Sequence, residues 1–294
     1  MKAIRSAIGS GMLARIAIPS AAMKRLLVTN DDGIDSPALL PLLRALAPLA
    51  QLCVVVPDRE RSWIGKAITR FEPIRIEPRR VGEFDVVACS GTPADCANLG
   101  IHRICDAPPD QVVSGINVGL NHGDAFAFSS GTVGAAAEAH YAGVPAAAFS
   151  MGPAQPDPAF HRRARLAEAN AAWEAAAAIC ADVVGVLLEQ RASHDVDLIN
   201  VNVPEGATPA TPRRITQVAE LSYGALFHPH EDEGLHRAHL TGLHPRAGSA
   251  LAGSDHEALR AGEVSITPLA LIRSPAMGSE LAEALRAGPA HQGR

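Results

Sequence analysis

Between Leu26 and Pro204 the chain carries a series of short apolar runs, each ending on small polar residues, glycine or proline. "LLVTN", "QLCVVVP", "FDVVACS", "DQVVSGIN", "VPAAAFS" and "DLINVNVP" are too short for helices. Their apolar residues run on rather than alternate, which suits strands covered on both faces. The segments between them have helical spacing. "SPALLPLLRALAPLA" repeats leucine three and four residues apart, with Ser36 placed as N-cap and Pro37 at the first helical position. "TPADCANLGIHRI", "TVGAAAEAHYAG" and an alanine-rich stretch from about Arg162 to Gln190 predict three further helices. Strand, loop, helix and strand in this order predict a mainly parallel α/β sheet.

From Glu205 the rhythm breaks. Prolines, histidines and turn residues dominate, with "RRITQVAEL" as a strand and "VSITPLAL" as the last one. A single domain is expected over residues 23–275: a core over about 24–204, an arm and last strand over about 205–272, and a helix or frayed tail at 276–294. Residues 1–22 are basic and free of acids. Arg15 and Pro19 interrupt their apolar stretches, which weakens a signal- or transit-peptide reading, so they are taken as an extension ahead of a fold that starts at Met23.

Composition narrows the function. Apolar residues at 47% and charged residues at 19% are ordinary for a globular domain. A net charge of −5 argues against nucleic acid held by bulk electrostatics. The five cysteines show no C-x-x-C spacing, and several sit inside apolar runs, so they are expected to be buried, reduced thiols of a cytoplasmic protein. No run of apolar residues approaches the ~20 of a membrane helix, and no membrane partner is expected.

Ligands of open α/β sheets bind at the carboxyl ends of the strands. After the first strand come Asn30, Asp31, Asp32 and Gly33; after the second, "PDRERSWIGKAIT"; after the third, "SGTPADC"; after the fourth, "SGINVGLNHGDAFAFSSGT". Adjacent carboxylates repel, so Asp31 and Asp32 mark either a solvated turn or a place for something positive. With a serine hydroxyl and an asparagine amide they form an all-oxygen donor set, which selects Mg²⁺ or Mn²⁺ over Zn²⁺. Haloacid-dehalogenase-type phosphatases place D-x-D-G here, but their nucleophile position is Asn30, and an amide cannot serve. A G-x-S-x-G elbow and a P-loop are absent.

Seven blocks in order, "LLVTNDDGI", "PDRERS", "GTPADC", "SGINVGLNHGD", "SSGTVGAAAEA", "LINVNVP" and "GEVSITPL", resemble the successive motifs of the SurE family of 5′/3′-nucleotidases. The resemblance implies a Rossmann-like three-layer αβα core whose C-terminal hairpin arm is exchanged between subunits of a homodimer or homotetramer. It implies metal-dependent hydrolysis of nucleoside 5′- or 3′-monophosphates, with short polyphosphate also accepted by some members; a phosphatase whose preference has shifted to short polyphosphate or other phosphomonoesters is an alternative. By position, the metal ligands for one divalent ion per subunit, Mg²⁺ or Mn²⁺, fall on Asp31, Asp32, Ser62 and Asn117. Asn121, Ser130, Gly131 and Thr132 fall on the phosphate group, and Asp32 and Asn121 on the catalytic positions.

The chain also departs from the family pattern. Lys66 and Ala67 replace an Asn-Ser pair; Lys66 would contact phosphate or compete with the metal, and the two together raise the alternative of a nucleotide-binding protein with weak or lost turnover. Trp63 is read as packing its own loop, with base stacking as the alternative. The "NHGDAFAFSSGT" loop is one residue longer than the common form. His228, His230, His236, His239 and His244 fit no compact metal pattern and are read as an exposed arm. Asp255 is the candidate for protonating the leaving group.

Overall fold

The computed structural model describes residues 23–287, apart from positions 156, 191, 192, 194, 232, 233 and 241; residues 1–22 and 288–294 lie outside the described residues. The core runs β1 (Arg25–Thr29), α1 (Leu39–Leu46), β2 (Gln51–Pro57), β3 (Ile76–Val81), β4 (Phe84–Cys89) and α2 (Pro93–Leu99), which continues into a π turn over Gly100–Ile104. It goes on through β5 (Gln111–Val118), α3 (Gly123–Ser129), α4 (Gly131–Tyr141), β6 (Ala146–Gly152), α5 (Phe160–Arg163), α6 (Asn170–Glu189) and β7 (Leu198–Pro204). The C-terminal portion holds β8 (Arg213–Ile215), β9 (Leu221–Ser222), β10 (Phe227–Pro229), β11 (His236–Ala238), β12 (His244–Pro245), α7 (Asp255–Arg260), β13 (Val264–Leu269) and α8 (Ser279–Ala287).

Among the described residues the main sheet has nine strands in the order β3-β4-β2-β1-β5-β6-β7-β13-β8. From β4 to β7 every neighbour is parallel, while β3 and β13 pair antiparallel with β4 and β7. Successive strand residues face opposite layers. Leu26 and Val28 pack with the α1 leucines and with Trp173, Ala176 and Cys180 of α6, while Leu27 packs with Cys96 of α2 and Ala136 of α4. The expected three-layer α/β core is therefore present. Leu39, Leu42, Leu43 and Leu46 are fully buried, so Leu42→Ala would cost about 2–5 kcal/mol.

Local chemistry explains the helix starts, with one correction. Thr92 caps α2 in a reciprocal box: its hydroxyl accepts from Asp95 N at 3.1 Å and Asp95 accepts from Thr92 N at 2.8 Å, with Pro93 in the first turn. Ser36 is not the cap of α1. A turn in which Leu39 N donates to Ser36 O precedes the helix, and Ala38 stands at the N-cap without a side-chain bond. The predicted Arg162–Gln190 helix is divided into α5, a 3₁₀ turn and α6. α6 is long and apolar enough by length and composition to cross a membrane, but Trp173, Ala176, Ala177, Ile179, Cys180, Val183 and Val184 form a stripe buried on the core.

The cysteines depart from expectation. Cys53 of β2 and Cys105, just past the π turn, are joined in a disulfide across 52 residues, while Cys89, Cys96 and Cys180 are free and buried. The cysteine-based argument for a reducing compartment loses its basis. In the arm, β10 pairs with β11 and β9 with β12, and the histidines of β10 and β11 are exposed. Among the described residues no three His, Cys, Asp or Glu side chains gather as a metal group.

Candidate active site

The chain leaves β1 for β2 on one side and returns as β5 on the other, so the strand order reverses between β1 and β5. The crevice outside a parallel sheet opens at such a point. Asn30 closes the turn beyond β1: its amide donates to Gly33 O and accepts from Gly33 N, each at 3.0 Å. Gly33 has φ +83°, and a Cβ there would lie 2.6 Å from the Arg59 backbone. The turn holds Asp31 and Asp32 at 3% and 4% exposure.

Each carboxylate has a fixed partner. Asp31 Oδ1 accepts from Thr132 Oγ1 at 2.6 Å, and Asp32 Oδ2 accepts from the Val118 N–H at 2.9 Å. Burial pushes both carboxyls above the ordinary range; the neighbouring Asp31 raises Asp32 further, while the Thr132 hydrogen bond pulls Asp31 down. The nearest cation to Asp32 among the described side chains is Arg165, at 3.7 Å and also bound to Glu60 at 2.9 Å. Two buried, adjacent carboxylates with one distant guanidinium are under-compensated. An all-oxygen donor set in that state fits a divalent cation.

The other predicted residues converge unevenly. Asn117 lies where the β5–β6 register shifts, and its Nδ2 donates to Gly119 O at 2.7 Å, which leaves the amide oxygen as its donor atom for a cation. Ser62 borders the same cavity, with its hydroxyl turned to Glu60 Oε1 at 2.7 Å. Asn121 is held by Asn202 through its N–H at 2.7 Å and donates to Ser150 Oγ at 2.9 Å. Ser130 caps α4 by accepting from Val133 N at 3.1 Å. Gly131 lets that helix start against the carboxylates, because a Cβ there would stand 2.9 Å from Asp31 Cβ. Thr132 is fully buried with its hydroxyl on Asp31, so its side chain positions a carboxylate.

Lys66 lies elsewhere. Its ammonium is 2.5 Å from Glu138 and 5.5 Å from the centre of the Tyr141 ring, both on α4, and it does not border the cavity. A lysine four residues beyond Ser62 turns away because the intervening backbone packs on Gly134. Asp255 does not border the cavity either. It is 1% exposed, and its oxygens accept from Gly123 N, Ala219 N and His256 N at 2.8–2.9 Å.

The cavity, of about 910 Å³, is bordered by Asp31, Asn117, Asn121 and Ser130 on the sheet side and by His239, Leu243 and His244 of the arm. It also holds a pair that sequence reasoning passed over. His122 Nε2 lies 3.3 Å from His256 Nδ1, the rings stack at 5.4 Å, and His122 Nδ1 is buried without a partner among the described residues. Burial, and next His256, push the His122 ring down to about 4, so it is neutral at pH 7. His122 stands in the "SGINVGLNHGDAFAFSSGT" loop after β5, so the signal lies in the sequence; nothing local announces His256.

Comparison with known proteins gives a consistent result. Residues 26–225 match the family model of Survival protein SurE. A 5′-nucleotidase SurE of Methanocella arvoryzae is 37% identical over 253 residues, covering 84% of this chain and 92% of that protein. One of Geotalea uraniireducens is 38% identical over 250 residues, covering 84% and 93%. The crystal structure of the SurE protein from Aquifex aeolicus superposes with a TM-score of 0.66 at 31% identity, covering 85% of this chain and 94% of that one.

Proposed function

Because the chain belongs to the SurE family, we propose that it is a phosphomonoesterase that hydrolyses nucleoside monophosphates to nucleoside and phosphate with the help of one divalent cation, Mg²⁺ or Mn²⁺. The observation that carries this is the buried Asp31–Asp32 pair at the reversal of the strand order, beside the N-terminus of α4. Asp31, Asp32, Asn117 and Ser62 would hold the cation, which when bound supplies charge stabilisation to the phosphoryl group and acidifies a water.

The protein's own part follows from its contacts. Thr132 and the Val118 N–H hold one oxygen of each carboxylate, so each presents its other oxygen in a fixed direction. Ser130 and the first amides of α4 offer a phosphate an electropositive helix end. Asn121, locked by Asn202 and Ser150, keeps an amide on the cavity wall without paying rotamer entropy at each turnover. The arm residues across the cavity limit water around the ester.

The competing idea, a binding protein with weak or lost turnover, drew on Lys66 and Ala67. The ion pair of Lys66 with Glu138 speaks against the first of these, since the lysine makes no ion pair with Asp31 or Asp32 among the described residues. Phosphate release from AMP and from p-nitrophenyl phosphate, with Mg²⁺ or Mn²⁺ and then with excess EDTA, tests the proposal. Cation-dependent release is expected; AMP that binds without releasing phosphate under any cation would favour the binding protein.

A further inference from the structure

Trp63 does more than its loop requires. Among the described residues it is the one non-glycine residue in the left-handed region, at φ +58°. Strain of this kind persists where the surroundings over-determine it. The loop is already closed by backbone bonds from Arg61 N to Asp31 O at 2.7 Å and from Gly65 N to Ser129 O at 2.9 Å. Nor is the indole buried as a packing residue would be. The other tryptophan, Trp173, shows that alternative: it is fully buried with its N–H on Ala164 O at 2.8 Å. Trp63 is 50% exposed and borders the cavity, one residue beyond the candidate cation ligand Ser62.

Other rings lie against it. Phe126 meets Trp63 edge-on at 5.6 Å, Tyr223 lies at 5.7 Å, and Phe126 and Tyr223 are 5.9 Å apart. Phe126 also meets His122 at 6.2 Å. The wall therefore runs from the loop of Ser62 to that of Asn121, alongside the groups assigned to phosphate. An aromatic surface at that place suits a flat ring attached to a phosphate.

We propose that Trp63, braced by Phe126 and Tyr223, is the platform on which the base of the nucleotide stacks, and that it selects nucleotides over aliphatic phosphate esters. The proposal rests on the phosphomonoesterase assignment for its kinetic consequence only. Every base has a π face, so the platform tolerates all bases and favours the larger purines. Stacking contacts of this kind are worth about 5- to 150-fold in affinity.

The chain has two tryptophans, of which only Trp63 borders the cavity among the described residues, so a change in emission when a ligand enters it reports on Trp63. AMP should quench the emission of the EDTA-treated full-length protein, whereas inorganic phosphate should not, and the quench should vanish in Trp63→Phe. Glycine adopts φ +58° freely, so Trp63→Gly removes the ring and leaves the loop its backbone. Its kcat/KM for AMP relative to glycerol 2-phosphate should fall about 5- to 150-fold, through KM rather than kcat, with partial recovery in Trp63→Phe. Equal losses on both esters, or no quench by AMP, would overturn the platform. Absence of phosphate release from any ester would overturn the enzyme assignment and leave the fluorescence result to judge the platform alone.

Discussion

Asp32→Asn should abolish hydrolysis and at the same time stabilise the cation-free protein. The amide oxygen of the variant can still accept from Val118 N–H, and Arg165 keeps its 2.9 Å bond to Glu60, so the fold is retained. What disappears is the charge. Burial, and then Asp31, push the Asp32 carboxyl up to about 8 from an ordinary 3.8. A carboxyl raised in this way stabilises the fold fully below the unfolded value, near pH 4, and loses that contribution as the pH rises toward 8. At about 1.4 kcal/mol per unit of pKa, the cation-free wild type should be weaker at pH 7 by about 4 kcal/mol on account of this group. The variant should therefore melt higher, at roughly 2–4 °C per kcal/mol for a chain of this size. A divalent cation works against this difference: it should add about 2.7 kcal/mol to the wild type at a hundred times its dissociation constant and much less to the variant. Thermal melts from pH 5 to 8, with EDTA and with Mn²⁺, together with phosphate release, make the measurement. A variant less stable than wild type throughout, or stabilised equally by Mn²⁺, would refute the role of Asp32.

Three further outcomes are expected. Thr132→Val leaves Asp31 without its hydroxyl partner and should cost about 1–3 kcal/mol in urea unfolding and most of the activity, while Thr132→Ser should recover both. Lys66→Met should leave KM for AMP within about twofold but lower stability by about 1 kcal/mol, because the buried Glu138 loses its ion pair and keeps, among the described side chains, Asn98 at 2.8 Å; a large rise in KM would return Lys66 to the phosphate. His122 is held at about 4 against an ordinary 6.5, so its neutral form favours the fold above pH 6.5 and this contribution is lost as the pH falls toward 4, by about 3 kcal/mol in all. His122→Gln should flatten that slope in urea titrations between pH 7 and 4.5, and an unchanged slope would place the ring outside a buried site.

The difference between what the sequence revealed and what it concealed follows the range of the interactions. Strands buried on both faces appear as unbroken apolar runs, and their end loops must be small and polar, so the crevice beside Asp31 and Asn117 could be located from pattern alone. β3 shows no such pattern: "IEPRRV" is an exposed edge strand that exists because it pairs with β4. The same holds for side chains whose partners are distant. Lys66 meets Glu138, Cys53 meets Cys105 and His122 meets His256 across 134 residues, and nothing local in either partner indicates the other. Position in a motif likewise identifies which residues gather without saying which atom faces the ligand. Thr132 sits in the phosphate motif, yet its hydroxyl is on Asp31, and Ser62 sits in the cation motif with its hydroxyl on Glu60. The direction of each donor depends on its neighbours, and Glu60, Arg165 and Asp32 form one chain of contacts at 2.9 and 3.7 Å. A cation at Asp32 would therefore compete with Arg165, which ties the orientation of Ser62 to occupancy through Glu60.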